Sequence, residues 1–159
     1  MVKEKTMSAT SVLDDLDRLL SFGQIDHVFP VLSFEVGDGD TIKVLLDGSF
    51  HTRFEYACRV AAVDTPEKNT AAGQAVKHAV EKWFRDLPAE HLRCVSTDHR
   101  NKFAGRFLGT FFDRRKPTET LTHWLIREQL ARPYDGGRKP VWFADELDAI
   151  EQRALTLAA

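Results

Sequence analysis

From residue 27 to residue 63 the pattern of hydrophobic and polar positions is typical of β-strands. Three runs carry it, VFPVLSFEV, TIKVLL and TRFEYACRVAAV, and the turn residues GDGD and DGS separate them. In the third run Phe54, Tyr56, Cys58 and Val60 alternate with charged or small residues, as in a half-buried strand. Successive strands joined by tight turns predict a meander.

After residue 63 the hydrophobic period becomes that of an α-helix. Apolar side chains follow the i, i+3, i+4, i+7 rule over residues 72–87, and Pro88 ends the pattern. Two further strand-like runs, HLRCVST and RFLGTFF, precede a second helix over 118–130 and a third over about 143–157. This order predicts an α+β fold: a five-stranded OB-fold Greek-key β-barrel with three packed helices.

The amino-terminal segment differs from the rest of the chain. We therefore divide the chain into an extension, residues 1–26, and a domain, residues 27–159. The extension either packs on the domain or is an interaction element for a protein partner. Apolar residues at helical spacing predict a short amphipathic helix over residues 10–21: Val12, Leu13, Leu16, Leu19 and Leu20.

Charge is nearly balanced, with 22 Lys and Arg against 24 Asp and Glu. A net charge of −2 does not by itself indicate a nucleic-acid partner. The segment from Arg93 to Lys116 is nevertheless basic, with seven Lys and Arg residues against Asp98 and Asp113. Such a run is either a solvated face or a phosphate-binding surface, and the sequence leaves both open.

Other features restrict the classes of protein further. No apolar run approaches the length of a membrane span, so we expect no membrane partner. The first residues lack the pattern of a signal peptide, which predicts cytoplasmic localisation, with secretion left open if a leader was removed. Cys58 and Cys94 lie in apolar runs, where we expect buried free thiols. The six histidines show no paired metal spacing, so we expect no zinc site.

The stretch GDGDT at residues 37–41 has two interpretations. Gly and Asp are the residues that tight turns favour, so a plain turn explains it. Alternatively, the carboxylate of Asp40 binds a ligand together with groups elsewhere in the chain. Pairing TIKVLL with TRFEYACRV around the loop DGSFH sets Leu46 opposite Thr52. In that register Asp40 lies opposite about Cys58 and Arg59, and the following segment DTPE reaches the same end of the barrel.

These residues suit metal-assisted phosphodiester hydrolysis. Asp40 and Asp64 are hard oxygen ligands for Ca²⁺, and carbonyls, waters or a phosphate oxygen complete an open shell. Glu67 lies near enough to act as general base, and Arg59 offers a planar fork to phosphate oxygens. A structural explanation is also open: DTPE fits a helix start capped by Asp64 or Thr65, with Arg59 an ordinary strand residue.

The order DGDTI, RVAAVDTPE, KFAGR and LARPYDGG over about residues 30–155 resembles the staphylococcal nuclease (thermonuclease) family, in its bacterial and phage-borne branch. DGDT followed by R-x4-DTPE is the specific part of this resemblance. It implies that the fold is an OB barrel with three helices and that the activity is that of a calcium-dependent nuclease. Such an enzyme cuts single- or double-stranded DNA and RNA with little sequence preference and commonly leaves 3′-phosphate ends.

The resemblance also implies a metal site and a base. Asp40 and Asp64 would bind calcium together with the backbone carbonyl of Thr65. Glu67 would be the general base or would orient the attacking water.

For the substrate, the resemblance implies that Arg59 and Arg106 grip the scissile phosphate and stabilise its developing charge. Lys102 would contact a terminal phosphate, and Tyr134 would pack near the base or sugar; as an alternative, Tyr134 is a loop aromatic that covers the barrel. The family usually has Lys-Tyr-Gly-Arg where this chain has KFAGR, one residue longer and without the tyrosine hydroxyl.

A function of a different class stays open. The chain would then be a catalytically inactive nuclease-like OB domain that binds single-stranded nucleic acid or protein. Domains of that kind usually lose acidic ligands or arginines, whereas this chain retains both, which favours the enzyme. A calcium-stabilised structural module gives no reason for the arginines.

Overall fold

The computed structural model describes residues 28–103 and 105–159, with the side chains of 97–103 outside the description. The helix predicted over residues 10–21 therefore lies outside the described residues. The strands are β1 (Val28–Asp38), β2 (Thr41–Asp47), β3 (Arg53–Val60), β4 (Val63–Asp64), β5 (Leu92–Phe103), β6 (Arg106–Asp113) and β7 (Arg132–Pro133). The helices are α1 (Ala71–Arg85), a 3₁₀ turn (Ala89–His91), α2 (Leu121–Arg127) and α3 (Ala144–Ala158).

Five strands close into a barrel in the order β1-β2-β3-β6-β5. The junction of β3 with β6 is parallel and the other four are antiparallel. This confirms the α+β class, the five-stranded barrel and the three helices, and the arrangement is consistent with an OB-like fold. The pair β4-β7 forms a separate two-stranded sheet. The sequence pattern does not indicate it, since a strand of two residues carries no periodicity.

The hairpin of β2 and β3 has a register two residues away from the predicted one. Leu46 pairs with Phe54 and not with Thr52. The loop takes up Thr52, because the Gly48 amide donates to the Thr52 carbonyl at 2.9 Å and residues 49–51 all adopt positive φ. Because side chains alternate with period two, a shift of two residues keeps each of them on its predicted face.

The shift also corrects the partner of Asp40. The Val60 amide donates to the Asp40 carbonyl at 2.8 Å, so the prediction that Asp40 lies opposite about Cys58 and Arg59 is wrong. Arg59 pairs instead with Thr41, which follows Asp40 in the chain and is the first residue of β2. The Arg59 side chain still reaches the end of the barrel that Asp40 occupies.

Helix α1 begins at Ala71, and Thr70 caps it by accepting a hydrogen bond from the Gly73 amide at 2.9 Å. The alternative in which DTPE starts a helix is therefore wrong, because Asp64 lies in β4 and Thr65 precedes the cap by five positions. Thr65, Pro66 and Glu67 are left in the loop between β4 and α1.

The core lies between α1 and the barrel. Ile42, Val44 and Val76 are fully or almost fully buried there. Phe84 at the end of α1 stacks on Phe34 at 4.7 Å and meets Phe111 edge-on at 5.0 Å between ring centroids. Cys58 and Cys94 are buried and free, as predicted.

The two carboxyl-terminal helices complete the fold. Helix α3 packs against α1. Helix α2 is shorter than predicted and is joined to the barrel by Thr122, whose hydroxyl donates to the Ala61 carbonyl at 3.1 Å. Within the part of the chain that the structure describes, no helix is long and apolar enough to cross a membrane.

Candidate functional site

A polar cavity of about 240 Å³ lies where the β1–β2 turn, the end of β3 and the loop after β4 meet. Two of its charged lining residues, Asp38 and Lys139, were not predicted as site residues. Six of the predicted site residues line it: Asp40, Arg59, Thr65, Glu67, Arg106 and Tyr134.

Asp40 is a turn residue whose carboxylate is buried and held from three sides. Its Oδ2 accepts from the Thr65 amide and from the Thr65 hydroxyl, each at 3.1 Å, and lies 3.1 Å from Arg59 Nη1. Burial raises the pKa of Asp40 above its ordinary value, against the opposing charge of Arg59, and the nearby Asp38 raises it further. The stretch GDGDT is thus a tight turn, and the same turn points a carboxylate into the cavity.

Arg59 is buried near the end of β3, and its guanidinium has fixed partners. Nη2 donates to the Val63 carbonyl at 3.1 Å, while Nη1 lies against Asp40. The guanidinium carbon is 5.4 Å from the centre of the Tyr134 ring. These contacts hold the guanidinium in one orientation beside the cavity.

Asp64 is fully buried and is held by two cations. It lies opposite Arg132 in the β4–β7 pair, and its Oδ2 accepts from Arg132 Nε at 3.1 Å and Nη2 at 2.9 Å. Arg132 in turn stacks on Trp142 at 3.7 Å and donates to the carbonyl of Pro140. The other oxygen of Asp64, Oδ1, is 2.8 Å from Lys139 Nζ. Asp64 is not among the residues that line the polar cavity, although its neighbour Thr65 is.

Glu67 has a largely exposed carboxylate at the cavity, 3.7 Å from Lys139 Nζ. Its backbone is fixed, because its carbonyl accepts from the Thr70 amide at 3.0 Å and from the Thr70 hydroxyl at 2.7 Å. Gly73 makes this position possible: a Cβ atom there would lie 2.0 Å from the Glu67 carbonyl oxygen. The side chain is free to meet solvent while the backbone stays in place.

Arg106 reaches the cavity from the start of β6. Phe103 pairs with Arg106, Gly105 has a φ of +80°, and the register is irregular between Asp98 and Phe103. Arg106 Nη1 donates to the Thr41 hydroxyl at 3.1 Å. Lys102 belongs to the part of β5 whose side chains lie outside the description, so its contact with a terminal phosphate stays a prediction.

The ring of Tyr134 lies near two cations, Arg59 and Lys139. Its amide donates to the Ala62 carbonyl at 2.9 Å, and its hydroxyl donates to the Gly137 carbonyl at 2.6 Å. Lys139 Nζ lies 5.7 Å from its ring centre, and Arg59 flanks the ring at a similar distance. The position is consistent with both predicted roles, since the residue covers the barrel and also lines the cavity.

Three residues at the site were missed from the sequence. Asp38 had a signal, because it is the first carboxylate of GDGD, and its Oδ1 accepts from the Asp40 amide at 3.2 Å. Arg132 and Lys139 flank the YDGG turn, and only the pairing of β4 with β7 brings them to Asp64. No local sequence pattern predicts the pairing of β4 with β7.

The chemistry of the predicted ligand set fits a hard divalent cation. Asp40, Asp64 and the Thr65 carbonyl offer oxygen donors alone, which suits Ca²⁺. Across the described residues, no cluster of three or more His, Cys, Asp or Glu side chains is placed to hold a metal ion. The positive charge that the structure places here is that of Lys139: burial opposes it, yet the hydrogen bond and charge of Asp64, together with the charge of Asp40, raise the pKa of Lys139.

A second cavity, of about 430 Å³, lies on the barrel wall and is mainly apolar. Phe54 and Tyr56 line it and are exposed, so the prediction that this part of β3 is half-buried is wrong. The reason is that, among the described residues, the pairing of β6 with β3 begins at Cys58, so β2 alone flanks the first half of β3 there. Tyr56 meets Phe107 edge-on at 6.3 Å.

Comparison of the chain with models of known protein families found no match, and comparison with curated proteins found none either.

Proposed function

We propose that the chain is a calcium-dependent nuclease on a Greek-key OB barrel of the staphylococcal nuclease type, which hydrolyses phosphodiester bonds of DNA and RNA with little sequence specificity. One observation carries the proposal. A single polar cavity is lined by a buried carboxylate, an exposed carboxylate and two guanidinium groups, from Asp40, Glu67, Arg59 and Arg106. A phosphodiester hydrolase needs these groups together, and a structural module has no use for them.

The metal ligands in this proposal are Asp40, Asp64 and the Thr65 carbonyl. Bound there, Ca²⁺ supplies charge compensation for the phosphate and lowers the pKa of a bound water. The residues themselves hold their carboxylates in place: Thr65 donates twice to Asp40, and Arg132 donates twice to Asp64.

Glu67 is the general base. Its carboxylate has solvent on one side and the cavity on the other, so it is placed to accept a proton from a water that attacks phosphorus. Its backbone is pinned through Thr70 and Gly73, which limits how far the carboxylate moves.

Arg59 and Arg106 bind the phosphate oxygens. Arg59 is held by Asp40, by the Val63 carbonyl and against Tyr134, so its orientation is fixed before substrate arrives. Donors that are already oriented stabilise the developing charge without a cost of reorganisation, and loss of one typically lowers the rate ~10²–10³-fold.

The alternative is an OB domain that binds single-stranded nucleic acid without cutting it. Two observations favour it. The exposed rings of Phe54 and Tyr56 offer a surface on which bases stack. In addition, Lys139 lies against Asp64, one of the two carboxylates that the nuclease needs for its metal.

Digestion of end-labelled single-stranded DNA, with Ca²⁺ or with EGTA, tests the nuclease. We expect cleavage with Ca²⁺ alone, and a loss of ~10²–10⁴-fold in Glu67→Gln with an unchanged unfolding temperature. Glu35→Gln is the matched control, because its side chain is 72% exposed against 65% for Glu67 and lies on the outside of β1. Full activity in EGTA, or in Glu67→Gln, contradicts the mechanism. Salt-sensitive retention of DNA that is never shortened indicates the binding domain.

A further inference from the structure

Lys139 brings a positive charge from the carboxyl-terminal loop into the acidic part of the site. Its Nζ lies 2.8 Å from Asp64 Oδ1 and 3.7 Å from Glu67 Oε1. The charge of Asp40 also acts on it. The ammonium therefore contacts two of the three carboxylates to which the proposed function gives a role, and the charge of the third acts on it.

The two cations on Asp64 differ in how firmly they are held. Arg132 is 21% exposed, makes two hydrogen bonds to Oδ2 and stacks on Trp142. Lys139 is 40% exposed and approaches the other oxygen, Oδ1, with a single Nζ atom. Arg132 is therefore built into the fold around Asp64, whereas rotation of the Lys139 side chain alone would separate its Nζ from Oδ1.

We propose that Lys139 is an internal cation that competes with the divalent metal for Asp64, and that it sets the calcium concentration at which the site is filled. This inference rests on the proposed function for the identity of the metal ligands. It adds a regulating residue that the nuclease mechanism itself does not require.

The physical reason is the burial of Asp64. A carboxylate with no exposed surface is destabilising unless a positive charge compensates it. Lys139 supplies that charge when no metal is bound, so the folded protein tolerates an empty site. A metal that binds Oδ1 must displace the ammonium, so the apparent affinity is the intrinsic affinity multiplied by the fraction of metal-free molecules in which Lys139 has left Oδ1.

The inference predicts two effects of opposite sign. Without Lys139 the site has no competing charge, so Ca²⁺ binds more tightly. Without Lys139 the metal-free protein is also less stable, because Asp64 keeps only Arg132. Removing a lysine that acts only on substrate phosphate would leave calcium affinity unchanged, and removing a lysine that helps to hold the metal site together would lower it.

Calorimetric titration of the full chain with Ca²⁺, with no nucleic acid present, measures the first effect. We expect the Kd of Lys139→Met to be at least tenfold lower than that of the wild type. Arg138→Met is the matched control, since it removes one positive charge from the preceding, exposed position and should change the Kd less than about twofold. Lys139→Arg keeps the charge and should bind Ca²⁺ no more tightly than the wild type.

Thermal unfolding in EGTA and in Ca²⁺ measures the second effect. We expect Lys139→Met to unfold at a lower temperature than the wild type in EGTA. We also expect Ca²⁺ to raise the unfolding temperature of Lys139→Met by more than it raises that of the wild type. Lys139→Gln takes its place if Lys139→Met does not fold. An equal or weaker affinity in the variant overturns the inference, and no calcium binding by any form overturns both the inference and the proposed metal. Tighter binding by a variant of a protein that never cuts DNA supports the inference and overturns the nuclease.

Discussion

Asp64 and Arg132 are 68 residues apart in the chain and lie opposite each other where β4 pairs with β7. The guanidinium donates to one carboxylate oxygen from two nitrogens, Nε at 3.1 Å and Nη2 at 2.9 Å. Asp64 has no exposed surface. The contact therefore fixes a proposed metal ligand and at the same time decides whether a buried charge is tolerated in the fold.

Arg132→Leu tests the structural half of that contact. We expect the free energy of unfolding to fall by about 3 kcal/mol, because removal of one partner leaves a buried carboxylate with less compensation. Urea unfolding in EGTA measures it. In the double variant with Asp64→Asn the charge is gone as well, so part of the loss should be recovered.

Arg127→Leu is the control for Arg132→Leu. The arginine is exposed and its partner Glu128 is only partly buried, so we expect a change within about 0.5 kcal/mol. If Arg132→Leu is as mild as this control, the contact between Asp64 and Arg132 contributes little to the fold.

Local pattern was sufficient to predict most of the fold. The meander β1–β2–β3 follows from alternating residues and turn chemistry, and α1 and α3 follow from a helical period with clear ends. The short spacing between DGDT and DTPE was enough to predict that Asp40, Arg59 and Glu67 meet, since they line one cavity. Here the hairpin itself brings the residues together, and an error of two in its register keeps each side chain on its face.

Contacts between distant segments were not predictable in this way. The YDGG turn showed only that the chain bends, whereas Arg132 and Lys139 reach Asp64 through a two-residue strand pair. The exposure of Phe54 and Tyr56 depends on where β6 begins to pair with β3. Both facts belong to the closed barrel and not to any single run of sequence.

Gly73→Ala tests how α1 fixes Glu67, the proposed general base. Alanine normally stabilises a helix interior relative to glycine by about 1 kcal/mol. At this position a Cβ atom would lie 2.0 Å from the Glu67 carbonyl oxygen and 2.9 Å from that of Pro66. We therefore expect a loss of stability and a displaced Glu67, seen as a lower unfolding temperature together with a fall in kcat.

His78→Ala is the control for Gly73→Ala, because His78 is exposed on the same helix and the substitution also favours helix. It should leave kcat unchanged and stability equal or slightly higher. A Gly73→Ala variant that is more stable than the wild type and fully active contradicts the close approach of α1 to the loop.

Arg106→Lys tests whether the β5–β6 hairpin positions Arg106 to act on the phosphate. Arg106 lines the cavity and donates to the Thr41 hydroxyl at 3.1 Å, next to Asp40 in the chain. Lysine keeps the charge and loses the planar fork that matches two phosphate oxygens. We expect kcat to fall about 100-fold with little change in unfolding temperature, measured on a short labelled oligonucleotide in excess Ca²⁺.

Arg114→Lys is the control for Arg106→Lys, because it makes the same exchange elsewhere in this basic region. It lies at the end of the same hairpin, is exposed, and donates to His91 and not to a residue of the cavity. We expect it to change kcat less than about twofold. If the two variants behave alike, the extra residue in KFAGR has taken Arg106 out of reach of the phosphate, and Arg59 alone stabilises its charge. If Arg106→Lys alone loses activity, and kcat falls by a larger factor than KM rises, the guanidinium acts on the transition state and not on the binding of the strand.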